Sequence, residues 1–170
     1  TKTRPRQDVD RAYEAGIRLF GENRVGEGVA KFDPPPKQTR VHLIGHLQRN
    51  KARDAARIFD QVESIDKVST VEALLRHLPA EKKPFPVLLE MNTSGEESKH
   101  GVGDFSALSA LVERILSMPG IRIEGLMTIA PFTSDERAVR SAFASLRMAL
   151  DRLKERFDLS EARTLSMGMS

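Results

Sequence analysis

Short apolar segments alternate with longer amphipathic segments along the whole chain. Apolar runs of about four to eight residues between polar turns are typical of buried strands. They predict strands at residues 17–23, 41–45, 61–65, 86–92, 121–128 and 164–167. Apolar residues spaced by three and four predict amphipathic helices. These helices are predicted at residues 8–18, 25–31, 50–59, 69–78, 105–118 and 139–157.

Local signals mark several of the helix boundaries. Ser69 with Glu72, and Thr133 with Glu136, have the spacing of a capping box, which predicts a helix start at each pair. The three prolines at 34–36 end the second helix, because proline lacks the donor that a helix interior requires. A Pro-Gly pair at 119–120 ends the fifth helix in the same way.

The alternation of strand and helix, repeated about six times, predicts a parallel sheet with helices packed outside it. The pattern is compatible with an open doubly wound sheet or with a closed barrel. One feature favours the barrel: polar residues follow the carboxyl ends of successive strands. They are Lys2, Asn23, His46, Asn92, Thr128 and Ser170. In a barrel all these ends meet at one face, where ligands bind, and the chain contains no glycine-rich nucleotide loop.

Composition narrows the class of protein. The 170 residues suit one domain, and 39% hydrophobic with 30% charged residues is ordinary for a globular protein. The chain contains no cysteine, no apolar run of membrane-spanning length and no signal-peptide pattern, so we expect a cytoplasmic protein without membrane attachment. His42 and His46 lie in a β-rich run with no third ligand evident, so no metal site is predicted.

The charge of the chain favours small anions as partners. The formal net charge is +3, and the pI is about 9.4. A nucleic-acid-binding protein usually concentrates its basic residues on one face, with aromatic side chains between them. Here basic and acidic residues are mixed and aromatic residues make up 5%, so no nucleic-acid partner is expected.

Six motifs, in order across the chain, resemble the pyridoxal phosphate homeostasis (PLP-binding) protein family. They occupy residues 2–5, 20–25, 42–51, 92–101, 125–131 and 165–170. The resemblance implies the TIM-type (β/α)8 barrel of the alanine racemase N-terminal domain, with pyridoxal 5'-phosphate (PLP) held as a Schiff base on Lys2. It also implies a carrier without turnover, which we expect to be monomeric and to serve PLP-dependent enzymes.

Against the family pattern, residues 1–170 are expected to form one incomplete PLP-binding barrel domain. The first helix and strand and the last helix and strand of the pattern have no counterpart, and the segment at 33–38 is short. These differences predict a barrel truncated at both ends.

Positions near the strand ends suggest roles for several residues, and the resemblance supports that of Ser170. Asn23 is predicted to bind the cofactor ring hydroxyl or the region of the imine, and Ser170 its phosphate, together with backbone amides around Gly168. Met127 and Met167 are predicted to line the apolar faces of the ring. His46 is predicted at the mouth of the site. Ordinary turn, core and loop positions are the alternatives for Asn23, the methionines and His46, respectively.

Two other functions stay open from the sequence. A PLP-dependent amino-acid racemase needs acid–base groups on both faces of the substrate, but the single tyrosine, Tyr13, lies in an early helix. The third hypothesis is a scaffold that has lost cofactor binding and works only through partners; the retained lysine motif argues against it. The polar loop at 94–103 is either a lid or partner surface, or a solvated loop.

Overall fold

Six strands and six helices alternate in the computed structural model, which describes residues 1–96 and 98–169. The strands are β1 (Leu19–Glu22), β2 (Arg40–Leu43), β3 (Gln61–Ile65), β4 (Phe85–Glu90), β5 (Ile121–Ala130) and β6 (Thr164–Met169). The helices are α1 (Arg6–Glu14), α2 (Val25–Phe32), α3 (Ala52–Ile58), α4 (Val68–Leu75), α5 (Phe105–Leu116) and α6 (Glu136–Arg156). Short 3₁₀ turns lie at Arg49–Lys51 and Ala80–Lys82.

The strands form one parallel sheet in the order β1-β2-β3-β4-β5-β6. Spatial order therefore follows chain order, as in a barrel, whereas a doubly wound sheet reverses its order at a switch point. Within the described residues the sheet has six strands and no pairing between β6 and β1. The prediction of a parallel α/β fold is confirmed, and the six-stranded half-barrel is consistent with the predicted truncation of a (β/α)8 barrel.

The core occupies both faces of the central strands. All five residues of β3 are buried, including Glu63 and Ser64. Outside the sheet, α5 buries Leu108, Val112 and Ile115 against it. The limits of β3 agree with the predicted 61–65, although only Val62 and Ile65 in it are apolar, so its burial on both faces is a finding of the structure.

Both predicted capping boxes are wrong. Helix α4 begins at Val68, before Ser69, with Lys67 at the N-cap and no side-chain cap. Helix α6 is capped by Asp135, whose side chain accepts a hydrogen bond from the backbone nitrogen of Arg137. Capping depends on where the chain turns into the helix, and that turn is set by the preceding strand and its packing.

Other boundaries shift by a few residues. Helix α1 begins at Arg6 and ends at Glu14, short of the predicted 8–18. The helix predicted at 50–59 is a 3₁₀ turn followed by α3. None of the described helices is long and apolar enough to cross a membrane.

Candidate functional site

A cavity of about 320 Å³ lies at the carboxyl ends of the strands and is named here the Lys2 cavity. Its lining comes from the segments near both edges of the sheet. The residues are Lys2, Asn23, Ile44, Met127, Thr128, Ile129, Ser166, Met167 and Gly168. Because β1 and β6 are the two edge strands, a shared cavity requires the sheet to curl. The predicted convergence of Lys2, Asn23 and Thr128 at one face is confirmed.

Lys2 is presented by a tight turn. The backbone nitrogen of Arg4 donates to the carbonyl of Thr1 at 3.0 Å, and Thr3 has a φ of 61°. A β-branched residue rarely adopts this left-handed conformation. The Thr3 hydroxyl donates to the Lys2 carbonyl at 2.7 Å, a local bond that supports the turn. The side chain of Lys2 is exposed and borders the cavity.

A buried ion pair holds this turn against β1. The backbone nitrogen of Thr1 donates to the Gly21 carbonyl at 2.6 Å. The Lys31 ammonium donates to the Thr1 carbonyl at 2.9 Å and to Glu22 at 3.0 Å. Glu22 is fully buried. The segment that carries Lys2 is therefore fixed by Lys31 and Glu22, two residues that sequence reasoning missed.

Apolar side chains form much of the remaining wall. Met127, in β5, is 1% exposed, whereas Met167, in β6, is 40% exposed. Both border the cavity together with Ile44 and Ile129. The sequence analysis therefore placed the two methionines correctly, and their contact with a cofactor ring stays a prediction.

A polar network crosses the interior beneath the cavity. The Ser166 hydroxyl donates to Glu63 Oε2 at 2.6 Å, and His42 Nδ1 lies 2.8 Å from Glu63 Oε1. Thr93 and Thr128 share a hydroxyl–hydroxyl bond of 2.8 Å. These bonds satisfy the polar atoms that β5 and β6 bring to the cavity, so its walls are preorganised.

The loop after β2 is packed closely against the loop after β1. A Cβ added at Gly45 would lie 2.1 Å from the carbonyl oxygen of Asn23, so only glycine fits this approach. The close approach holds Asn23 at the rim of the cavity. It also gives a physical reason for a glycine within the motif at 42–51.

Three predicted positions have different outcomes. His46 does not line the Lys2 cavity; it borders an adjoining space of about 340 Å³ that also includes Asn23 and His100. Ser170 lies outside the described residues, whereas Gly168 lines the Lys2 cavity as expected. Asn92, which was grouped with the polar strand ends, donates instead to the Glu96 carbonyl at 2.8 Å within its own loop.

His46 packs face to face with His100, with ring centroids 3.9 Å apart. Burial lowers the pKa of His46, and the neighbouring His100 lowers it further. Deeper in the sheet, burial raises the pKa of Glu90 to about 7, with a smaller contribution from the charge of Asp66. Titratable groups therefore gather beside the Lys2 cavity as well as in it.

A curled parallel sheet with a lysine-bordered cavity at its carboxyl ends defines a class of half-barrel ligand-binding protein. The family model for the alanine racemase N-terminal domain matches residues 7–170. The pyridoxal phosphate homeostasis protein of Vibrio alginolyticus is 39% identical over 175 residues, covering 100% of this chain and 74% of that protein. The chain therefore belongs to the pyridoxal phosphate homeostasis protein family, which has the alanine racemase N-terminal fold, and the resemblance is confirmed.

Solved structures agree with this assignment. PipY of Synechococcus elongatus PCC7942 with PLP bound has a TM-score of 0.82 and 28% identity, covering 99% of this chain and 87% of that chain. An alanine racemase of Clostridium difficile 630 has a TM-score of 0.71 at 10% identity, covering 96% of this chain and 44% of that chain. The likeness to the racemase is one of fold alone.

Proposed function

We propose that residues 1–170 form one domain that binds pyridoxal 5'-phosphate as a Schiff base on Lys2 and takes part in intracellular PLP homeostasis without turnover of its own. The observation that carries the proposal is the placement of Lys2 at a cavity of about 320 Å³ with apolar and polar walls. The PLP-bound PipY structure supports it, because that relative shares the fold over nearly the whole chain.

The residues present fit this cofactor. PLP supplies an aldehyde that condenses with a primary amine, and Lys2 is the one lysine among the described residues lining the cavity. Met127 and Met167 offer soft, polarisable contact for an aromatic ring. Asn23 offers an amide at the rim, and Ser170 with the backbone at Gly168 is proposed to bind the phosphate. His46, which lies in the adjoining space, is proposed to act at the mouth of the site.

A carrier is favoured over a racemase by the position of Tyr13. Racemisation needs acid–base groups on both faces of the substrate. The only tyrosine of the chain lies on α1, where the Arg18 guanidinium sits 4.0 Å from its ring centre, and it does not line the Lys2 cavity. We further propose a monomeric, cytoplasmic protein whose partners are PLP-dependent enzymes.

The test is to add PLP to the protein, record the visible spectrum, reduce with borohydride and map the adduct by peptide mass spectrometry. We expect an imine band and an adduct on Lys2, both absent from Lys2→Ala and retained in Lys37→Ala, which removes an exposed lysine elsewhere. An alanine racemisation assay on the same sample separates carrier from enzyme. A folded protein without band or adduct would refute the cofactor assignment, and measurable racemisation would refute the carrier.

A further inference from the structure

His46, Asp66 and His100 form a compact group next to the Lys2 cavity, named here the His46 cluster. They follow β2, β3 and β4 respectively, so the curl of the sheet brings together three segments distant in sequence. One possible ligand atom from each lies within 4.8 Å of the others. His46 Nδ1 and Asp66 Oδ2 are 4.0 Å apart, too far for a hydrogen bond.

The buried atoms of this cluster lack partners among the described residues. The side chain of Asp66 is only 5% exposed, and neither Asp66 Oδ1 nor His46 Nδ1 has a hydrogen-bond partner there. The Lys67 ammonium lies 4.0 Å from Asp66 Oδ2, but the Lys67 side chain is 66% exposed. Because water screens its charge, Lys67 stabilises the Asp66 carboxylate only weakly. A buried carboxylate in this state is costly unless a cation or a donor reaches it.

Glu90 adds a second buried acid beside Asp66. Glu90 is 4% exposed, and its Oε2 atom also lacks a hydrogen-bond partner among the described residues. The Asp66 carboxylate, 5% exposed and with Oδ1 lacking a partner among the described residues, is the group that a bound cation would compensate, whereas a further anion would be repelled.

We propose that His46, Asp66 and His100 bind a divalent transition-metal ion of the zinc type. Two imidazoles and one carboxylate are a donor set that suits Zn²⁺, and three protein ligands leave a fourth position for water. The ion would tie the loop containing His100 to the ends of β2 and β3. Since Asn23 borders both this space and the Lys2 cavity, the ion would also fix one side of the cavity's entrance.

Binding requires two local movements, a turn of the His100 ring and a closer approach of His46 to Asp66. The rings of His46 and His100 are nearly parallel, with an interplanar angle of 11°, so their in-plane lone pairs do not converge on one point. His100 is exposed on the loop after β4 and is able to turn. Zn–N bonds of about 2.0–2.1 Å in tetrahedral geometry place ligand atoms about 3.3 Å apart. The 4.0 Å separation of His46 and Asp66 therefore needs a contraction of only about 0.7 Å.

The proposal does not depend on the proposed function, because neither Lys2 nor PLP takes part in it. The experiment uses tag-free protein, stripped with a chelator and free of PLP. Zn²⁺ affinity is measured by competition with a chromophoric chelator, and Co²⁺ is added to record its visible spectrum. We expect one equivalent of metal and a Co²⁺ spectrum typical of tetrahedral N/O coordination.

Three variants decide the outcome. His100→Ala and Asp66→Asn should each weaken Zn²⁺ binding by at least about tenfold, and His77→Ala, which removes an exposed histidine outside the cluster, should leave it unchanged. The far-UV circular dichroism spectrum and the thermal unfolding transition show that each variant is folded. Equal Zn²⁺ affinity in wild type, His100→Ala and His77→Ala overturns the proposal, as does the absence of stoichiometric binding. Neither result bears on the adduct at Lys2.

Discussion

The Lys2 cavity and the His46 cluster lie side by side at the same face of the sheet. The cavity is lined largely by residues of β5 and β6, whereas the cluster consists of residues that follow β2, β3 and β4. Their polar atoms are in different states. In the cavity, Ser166 and Thr128 are hydrogen-bonded to Glu63 and Thr93. In the cluster, Asp66 Oδ1 and His46 Nδ1 lack partners among the described residues.

This difference indicates different ligands. The wall hydroxyls of Ser166 and Thr128 are already hydrogen-bonded, so Lys2 and Asn23 are the polar side chains that the cavity offers to a ligand. A cluster with unpaired buried ligand atoms retains unfavourable electrostatics that only a charged or donating ligand removes. The comparison is tested by variants that alter one region and leave the other intact.

The largest effect is expected at the ion pair that anchors Lys2. Lys31→Met leaves the fully buried Glu22 without its cation, so we expect a loss of about 3–5 kcal/mol in unfolding free energy and weaker PLP binding. Chemical denaturation measures the first effect and spectral titration the second. The double variant Glu22→Gln with Lys31→Met should recover much of the stability, and a single variant as stable as wild type would contradict the anchoring role.

The second-largest loss of unfolding free energy is expected for Met127→Ala. Met127 is 1% exposed, and truncating a buried methionine costs about 2–5 kcal/mol. Met167 is the matched control, because it borders the same cavity but is 40% exposed. Met167→Ala should lose less than about 1 kcal/mol of unfolding free energy. Equal losses in the two variants would contradict the expectation that the more buried methionine contributes more to stability.

Glu90 makes the cluster side of the molecule sensitive to pH. Its folded-state pKa is raised to about 7, so the folded protein binds a proton more tightly than the unfolded chain. The resulting stability is complete below the ordinary glutamate pKa and is lost as pH rises through about 7. Relative to Glu90→Gln, wild-type unfolding free energy should fall by about 1–3 kcal/mol between pH 5 and pH 8. Chemical denaturation at a series of pH values, with a chelator present, measures this difference. If the unfolding free energies of wild type and Glu90→Gln change in parallel with pH, the raised pKa of Glu90 is contradicted.

The smallest effect is expected at the hydroxyl pair beneath the cavity. Thr93→Val keeps the shape but leaves the buried Thr128 hydroxyl without its 2.8 Å partner. A neutral hydrogen bond of this kind contributes about 0.5–1.5 kcal/mol, and we expect a loss of unfolding free energy in that range. Thr39→Val, which removes a hydroxyl bonded only to the Pro36 carbonyl, is the control outside the site. A Thr93 variant that matches this control would mean that Thr128 finds another partner.

Local pattern was sufficient for the strands and for several site residues. The predicted limits of β3, 61–65, match the structure, and Lys2, Asn23 and Thr128 were expected at one face because parallel strand ends meet there. The capping boxes failed because the geometry at a helix start depends on the preceding turn. His46 was predicted at the mouth of the site; it borders the adjoining space, which shares Asn23 with the Lys2 cavity, and its role stays a prediction.

The sequence by itself determined the parallel α/β class and the family, because the hydrophobic period and the motif residues can be read locally along the chain. The spatial order of the strands came from the structure. Only the tertiary structure revealed the partners of the buried charges. Ser166 and Glu63 are 103 positions apart, and Lys31 gives no local sign that it binds Glu22. Such pairings depend on how the sheet curls and on which charges lose water together, and neither property is encoded in a short segment.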